Sequence, residues 1–187
     1  MKVHSYSALV ASLFALTPTS LFGVMLIDHD SGWGPVLAVL VALPSLVALV
    51  AAYSRNLPFR IASLTAAFVA SVPPMLALLA SLYLAGIGMS LIPGVIGLLL
   101  ASVRAAFKSP GVIPAIGAVL FGIAAGACLV LAWWPIIEAW VGRRGADEGI
   151  ALGLALVIGG LIMLCLTALI FREPAKPSNS FVARQMP

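Results

Sequence analysis

Long apolar stretches make up most of this chain, and short polar segments separate them. The longest stretch, residues 61–103, contains no charged side chain. One helix that crosses a bilayer core of about 30 Å needs roughly 20 residues. The stretch is therefore long enough for two crossings. We predict that it folds back at residues 85–90, where two glycines and a serine interrupt the aliphatic pattern.

The same pattern along the whole chain predicts an all-α polytopic membrane protein, a bundle of six transmembrane helices that forms one domain over residues 1–171. The predicted spans are residues 8–27, 35–53, 61–85, 87–103, 112–134 and 149–171. A signal peptide is the competing interpretation of the first span, but residues 17–20 offer no small-residue cleavage site and the apolar run then resumes. The polar segment 172–187 is predicted to be a disordered cytoplasmic tail.

Composition supports a membrane location. Hydrophobic residues make up 63% of the chain and charged residues only 9%, against about 25% charged residues in soluble domains. The basic residues are spread singly along the chain, so they form no patch that would bind nucleic acid. The lipid bilayer is therefore the expected partner, and a bacterial inner membrane is the expected location.

Charge predicts the orientation of the bundle, because short cytoplasmic loops gather Lys and Arg. With both termini cytoplasmic, eight of the ten basic residues lie inside and only Arg143 and Arg144 lie outside. The inside residues are Lys2, Arg55, Arg60, Arg104, Lys108, Arg172, Lys176 and Arg184. All four tryptophans fall at the outer interface, where amphipathic rings are favoured.

Small residues at a spacing of four indicate where helices approach closely. The fifth span carries Ala118, Gly122 and Gly126, and the sixth begins with Gly149 and Gly153. Such ladders allow close backbone contact in lipid, where hydrophobic attraction between helices is absent. Packing within one monomer is the simpler interpretation, and contact with another membrane protein or with a second copy is the alternative.

Catalytic patterns are absent from the sequence, and no acid or base falls inside a predicted span. We therefore expect no enzyme activity and no cofactor. The one candidate metal site is Asp28, His29 and Asp30, whose side chains could bind a divalent cation at the outer face, with Glu138, Asp147 or Glu148 as further ligands. The alternative is a solvated acidic loop.

Prolines fall near the centres of the first three predicted spans, and each leaves the carbonyl four residues earlier without an amide donor. Hydroxyl side chains occur at similar predicted depths. The candidate ligand site is Thr17, Ser20, Ser45, Ser71, Pro73 and Pro74, with the third helix bent or broken at its two prolines. Small transporters use sites of this kind. Alternatively, hydroxyls such as that of Ser71 satisfy the freed carbonyls and the kinks are only structural.

These observations lead to two functional hypotheses. The first is a non-enzymatic membrane protein that acts by helix–helix association, as a complex subunit, an assembly factor or a protective partner. The alternative is a small-solute transporter, or a membrane-embedded substrate-binding subunit, with a midplane site at the prolines.

Overall fold

The computed structural model describes residues 3–29, 32–109 and 111–171, and every regular element in these ranges is helical. The helices are α1 (Tyr6–His29), α2 (Gly34–Tyr53), α3 (Leu57–Ala80), α4 (Ala85–Phe107), α5 (Val112–Leu131), α6 (Trp133–Trp140) and α7 (Ala146–Ile170). Six helical units are long and apolar enough to cross a membrane, with α6 continuing α5. The all-helical prediction is confirmed. The predicted tail, 172–187, lies outside the described residues.

The third helix begins and ends earlier than the hydropathy pattern predicts. Asn56 caps it, because its side chain accepts a hydrogen bond from the Phe59 amide at 3.2 Å, and Pro58 suits the first turn. The following turn occupies residues 81–84, not 85–90. Gly88 lies inside α4 and not in the turn. A Cβ at this position would lie only 2.8 Å from the Leu79 amide nitrogen of α3. This glycine allows the start of α4 to approach α3.

The centre of the bundle is α3, which packs against α2, α4, α5 and α7. Within the most apolar 18 residues of α3, 56% are buried, against 44% for the corresponding part of α2, the next most buried helix. On one side of α3, α1 lies between α2 and α4. On the other side, α7 packs against α5 and α6. Although α4 and α5 both lie against α3, they scarcely touch each other.

Side chain size separates the interior from the surface. Alanines fill much of the interior, and Ala15, Ala48, Ala62, Ala66 and Ala118 are fully buried. Large aliphatic side chains instead cover the outside of every long helix, as at Val24, Val39, Leu76, Leu100, Leu120 and Leu154. Water-soluble proteins rarely expose apolar patches beyond a few hundred Å². The arrangement therefore indicates a multi-pass membrane protein.

The ladder on α5 lies against α3 at backbone distance. A Cβ on Gly122 would lie 2.6 Å from the Ala62 carbonyl oxygen, and one on Gly126 would lie 2.7 Å from Cβ of Val69. Ala118, one step earlier on the same face of α5, is fully buried. Any larger side chain at the two glycines would push α5 away from α3.

Two further glycine contacts bring other helix pairs together. On α7, a Cβ at Gly149 would lie 2.6 Å from the Pro135 carbonyl oxygen, and one at Gly153 would lie 3.2 Å from that of Ala132. These two glycines therefore seat α7 on α6. On α4, a Cβ at Gly94 would lie 2.7 Å from the Ala15 amide nitrogen, so α4 meets α1 at the same close range.

Neighbouring helices joined by short loops run in alternating directions, so the bundle has two ends of different chemistry. The basic end, defined by Arg55, Arg60, Arg104 and Lys108, contains the start of α1 and the end of α4. The tryptophan end, defined by Trp33, Trp133, Trp134 and Trp140, contains the end of α1 and the start of α7. Asp28, Glu138, Arg144 and Glu148 also lie at the tryptophan end.

We predict that Gly122→Val destabilises the bundle by about 1–3 kcal/mol, because its side chain would overlap the Ala62 carbonyl and Thr65. Gly159→Val on α7 is the matched control, since no neighbouring atom lies within 4 Å of its added Cβ. Thermal unfolding in detergent, followed by circular dichroism, measures both. Equal losses in the two variants would contradict a close contact at Gly122.

Candidate functional site

A cavity of about 370 Å³ lies beside Pro73 and Pro74, between α1, α3 and the α5–α6 junction. Its wall is almost wholly apolar. Besides the two prolines, the wall includes Phe22, Ala70, Ala77, Leu78, Trp133 and Ile137. The volume is at the lower end of the roughly 300–1,000 Å³ of small-molecule sites. A cavity with this lining suits a small apolar molecule.

The prolines do not break α3, which remains helical from Leu57 to Ala80. Because α3 begins earlier than predicted, the pair lies in its last third, towards the tryptophan end, and not at its centre. Because proline has no amide hydrogen, the carbonyls of Val69 and Ala70 lose their usual helical hydrogen-bond donors. The Ser71 hydroxyl does not replace them, since it donates to the Ala67 carbonyl at 2.7 Å. The prediction of repair by Ser71 is therefore wrong.

The four hydroxyl residues of the predicted ligand site lie apart from this cavity. Thr17 and Ser20 are exposed on the outer face of α1, where they donate to the carbonyls of Leu13 and Thr17 at 3.0 and 2.8 Å. Ser45 and Ser71 are buried, on α2 and α3. None of the four lines the cavity. Of the six predicted residues, the structure thus brings only the two prolines to one cavity.

A second opening, of about 610 Å³, is the lateral groove between α4 and α5. It forms because both helices pack on α3 while diverging from each other. Thr65, Phe68 and Val69 of α3 form its floor. Its α4 wall includes Leu99, Val103 and Ala106, and its α5 wall includes Val112, Ala115, Ile116 and Val119. The α5 wall extends from Val112 to Ile123, about 17 Å at the helical rise.

Three buried hydroxyls have no hydrogen-bond partner among the described residues: those of Ser45, Ser63 and Thr65. Other hydroxyls in the helices donate to a carbonyl one turn earlier, as Ser102 and Thr167 do. Leaving a buried hydroxyl unsatisfied costs about 1–3 kcal/mol. Thr65 is the one of the three that lies in the floor of the lateral groove. Neither the groove nor Thr65 was identified from the sequence. The sequence feature that could have indicated Thr65 is that it is the one threonine in α3, next to two alanines.

The candidate metal ligands Asp28 and His29 are the last two residues of α1, and both are exposed. Asp30 lies outside the described residues. Within the described part of the chain, no three Asp, Glu, His or Cys side chains gather at one point. Two acids considered as further ligands have another partner. Glu138 and Glu148 pair with Arg144, at 3.0 and 3.2 Å.

The six apolar helical units, with their alanine-filled interior and aliphatic exterior, are the features expected of a multi-pass helical membrane protein. No protein-family model, curated protein or solved structure matches it. The basis for a function is therefore the geometry of the apolar cavity and the lateral groove.

We predict that a small brominated alkane binds in the proline-lined cavity and quenches Trp133 with a saturable dose response. Pro73→Ala/Pro74→Ala should remain folded, because two amide donors return to α3, but should weaken this quenching by removing two rings from the wall. Pro93→Ala, a proline of α4 outside the cavity, is the control and should keep the quenching. Trp133→Phe identifies the responding fluorophore. Unchanged quenching in the double variant would contradict the assignment.

Proposed function

We propose that this chain is a multi-pass protein of a bacterial inner membrane that acts by helix–helix association, without catalysis. It would serve another membrane protein as a complex subunit, an assembly factor or a protective partner. The observation that carries this proposal is the lateral groove between α4 and α5, whose floor is the central helix. The occupant we propose is one transmembrane helix of the partner protein.

The lining of the groove supports this occupant. Helices associate in lipid through close packing and interhelical hydrogen bonds, so small residues and hydroxyls mark their contacts. The groove offers both, with Ala106 and Ala115 on its walls and Thr65 in its floor. Its length of about 17 Å matches about three turns of a partner helix. A partner that supplied an acceptor near Thr65 would also satisfy a hydroxyl that has none among the described residues.

The charges at the two ends support an orientation with the basic end in the cytoplasm. Cytoplasmic loops of membrane proteins carry an excess of Lys and Arg. The basic end has this excess, with Arg55, Arg60, Arg104 and Lys108. At the opposite end, Arg144 is neutralised by two glutamates, so it opposes this orientation weakly. Both chain termini would then be cytoplasmic.

A small-solute carrier, or the binding subunit of one, is the second candidate. The proline-lined cavity is the specific observation in its favour. Its apolar wall suits a small hydrophobic solute and offers no charged group to a polar one. An isolated protein that is stabilised by such a solute, and that purifies without a stoichiometric partner, would favour this candidate.

We predict that Ala115→Phe abolishes co-purification of a stoichiometric partner in mild detergent, because a phenyl ring at this half-buried wall position would fill the groove. The unfolding temperature should change little, since the added ring occupies open space. Ala151→Phe is the matched control, an exposed position on α7 that should keep the partner.

The molecules that co-purify with the unmodified protein show what occupies the lateral groove. A discrete protein at equal stoichiometry, lost only in Ala115→Phe, supports the proposal. Lipid alone, a second copy of this chain alone, or loss of the partner in both variants would contradict it.

We predict that a cysteine at position 31 is labelled from outside intact cells and that one at position 178 is protected. The reason is the concentration of basic residues at the end of the bundle that contains the start of α1. The measurement uses a membrane-impermeant maleimide on Ser31→Cys and Ser178→Cys, each in a background with Cys128→Ala and Cys165→Ala. Labelling at position 178 with protection at position 31 would reverse the proposed orientation.

A further inference from the structure

The two consecutive prolines of α3 leave one backbone carbonyl without either kind of regular helical hydrogen bond. A helix carbonyl accepts from the amide four residues later, or from the amide three residues later where the turn is tighter. For Ala70 these two positions are Pro74 and Pro73, and neither has an amide hydrogen. The α-helical pattern gives the next amide, that of Met75, to the carbonyl of Ser71. The Ala70 carbonyl therefore has no regular donor within α3.

Val69 differs from Ala70, although Pro73 removes its usual donor as well. An alternative donor, the amide of Val72 three residues later, is present in α3. The position of Val69 in the bundle also differs, because Val69 lines the lateral groove and not the proline-lined cavity. Of the two carbonyls, that of Ala70 is the one that neither regular helical bond can satisfy.

The described part of the chain does not supply the missing donor from elsewhere. The adjacent hydroxyl, that of Ser71, donates to the Ala67 carbonyl, and no other described side chain donates to Ala70. Ala70 lies about 15 Å before the end of α3 at Ala80, at the helical rise, so in a bilayer it would lie within the hydrocarbon layer. Water is absent there, and a carbonyl without a donor is unfavourable.

The proline-lined cavity lies against the face of α3 that carries this carbonyl. Ala70, Pro73, Pro74 and Ala77 all line the cavity, and their spacing puts them on one face of the helix. A helical carbonyl points along the helix axis towards the residue four positions later. The carbonyl of Ala70 is therefore directed towards Pro74, along the wall of the cavity.

We propose that the proline-lined cavity binds a small apolar alcohol, whose hydroxyl donates a hydrogen bond to the Ala70 carbonyl. The apolar wall, which includes Phe22, Leu78 and Ile137, contacts the hydrocarbon part of the molecule. An alkane of the same size would leave the carbonyl without a donor, so the cavity should prefer the alcohol. The volume of about 370 Å³ is many times that of a water molecule, so an alcohol of several carbon atoms fits.

This proposal gives the ligand class for the second candidate function, on whose cavity it rests. It does not depend on a partner helix in the lateral groove.

The test compares three probes that have the same number of non-hydrogen atoms. They are bromobutanol, bromopentane and bromopropyl methyl ether, of which only bromobutanol can donate a hydrogen bond. The affinity of each probe for the full chain in detergent is measured from the saturable quenching of Trp133, which lines the cavity. The quantity compared between variants is the affinity of the alcohol, or of the ether, divided by that of bromopentane. Partition of the probes into detergent is the same for every variant, so it cancels in this comparison.

Pro74→Ala and Pro73→Ala are matched variants, since each removes one ring from the cavity wall. Only Pro74→Ala restores an amide four residues after Ala70 and so returns the usual donor to its carbonyl. Both variants add a helical donor to α3, so both should fold, and thermal unfolding checks this. Ser81→Ala removes a hydroxyl that also lines the cavity and tests whether Ser81 is the partner of the ligand instead.

We expect Pro74→Ala to lower the alcohol ratio about fivefold, which is the effect of roughly one hydrogen bond. Pro73→Ala and Ser81→Ala should keep the ratio of the unmodified protein, and the ether ratio should be unchanged in all three variants. The proposal is overturned if Pro74→Ala keeps the alcohol ratio, if it lowers the ether ratio equally, or if Ser81→Ala lowers the alcohol ratio in its place. In these cases the cavity and the second candidate function would still stand, whereas the absence of saturable quenching by every probe would contradict both.

Discussion

Backbone contact around α3 is the interaction on which the rest of this structure depends. Hydrocarbon gives helices no hydrophobic reason to associate, so they must approach closely enough for many weak contacts to add up. Gly122 and Gly126 allow α5 to reach the carbonyls and Cβ atoms of α3. On the side of α3 towards α1, Gly94 lets α4 approach the backbone of α1 in the same way. The interior is consequently filled by alanine, and the large side chains face outward.

The openings in the bundle occur where neighbouring helices are not in backbone contact. The helices α4 and α5 each follow α3 but diverge from each other, and the lateral groove is the space that remains. The proline-lined cavity forms where α1 and the α5–α6 junction leave the last third of α3 uncovered. Because α5 meets α3, α4 meets α1 and α7 meets α6 at backbone distance, these openings are features of the packing and not a consequence of a loose bundle.

The two ends of the bundle handle charge in opposite ways. At the tryptophan end, Arg144 bridges Glu138 and Glu148, so α6 and α7 are joined by a local network of one cation and two carboxylates. At the basic end, cations from α3 and α4 surround a cavity that contains no carboxylate among its lining residues. This asymmetry between the two ends is the basis of the proposed orientation.

Periodicity and hydropathy in the sequence were enough to predict the all-helical fold and the six apolar units, because each span depends on its own residues and the bilayer thickness. These patterns could not predict which helices pack against one another. Thr17 and Ser45 carry hydroxyls at similar predicted depths, yet one faces outward and the other is fully buried, since burial depends on which helices cover each face. Arg60 and Arg104 come to one cavity only because α3 and α4 pack antiparallel. The helices were thus determined locally, whereas the cavities were decided by contacts between residues far apart in the chain.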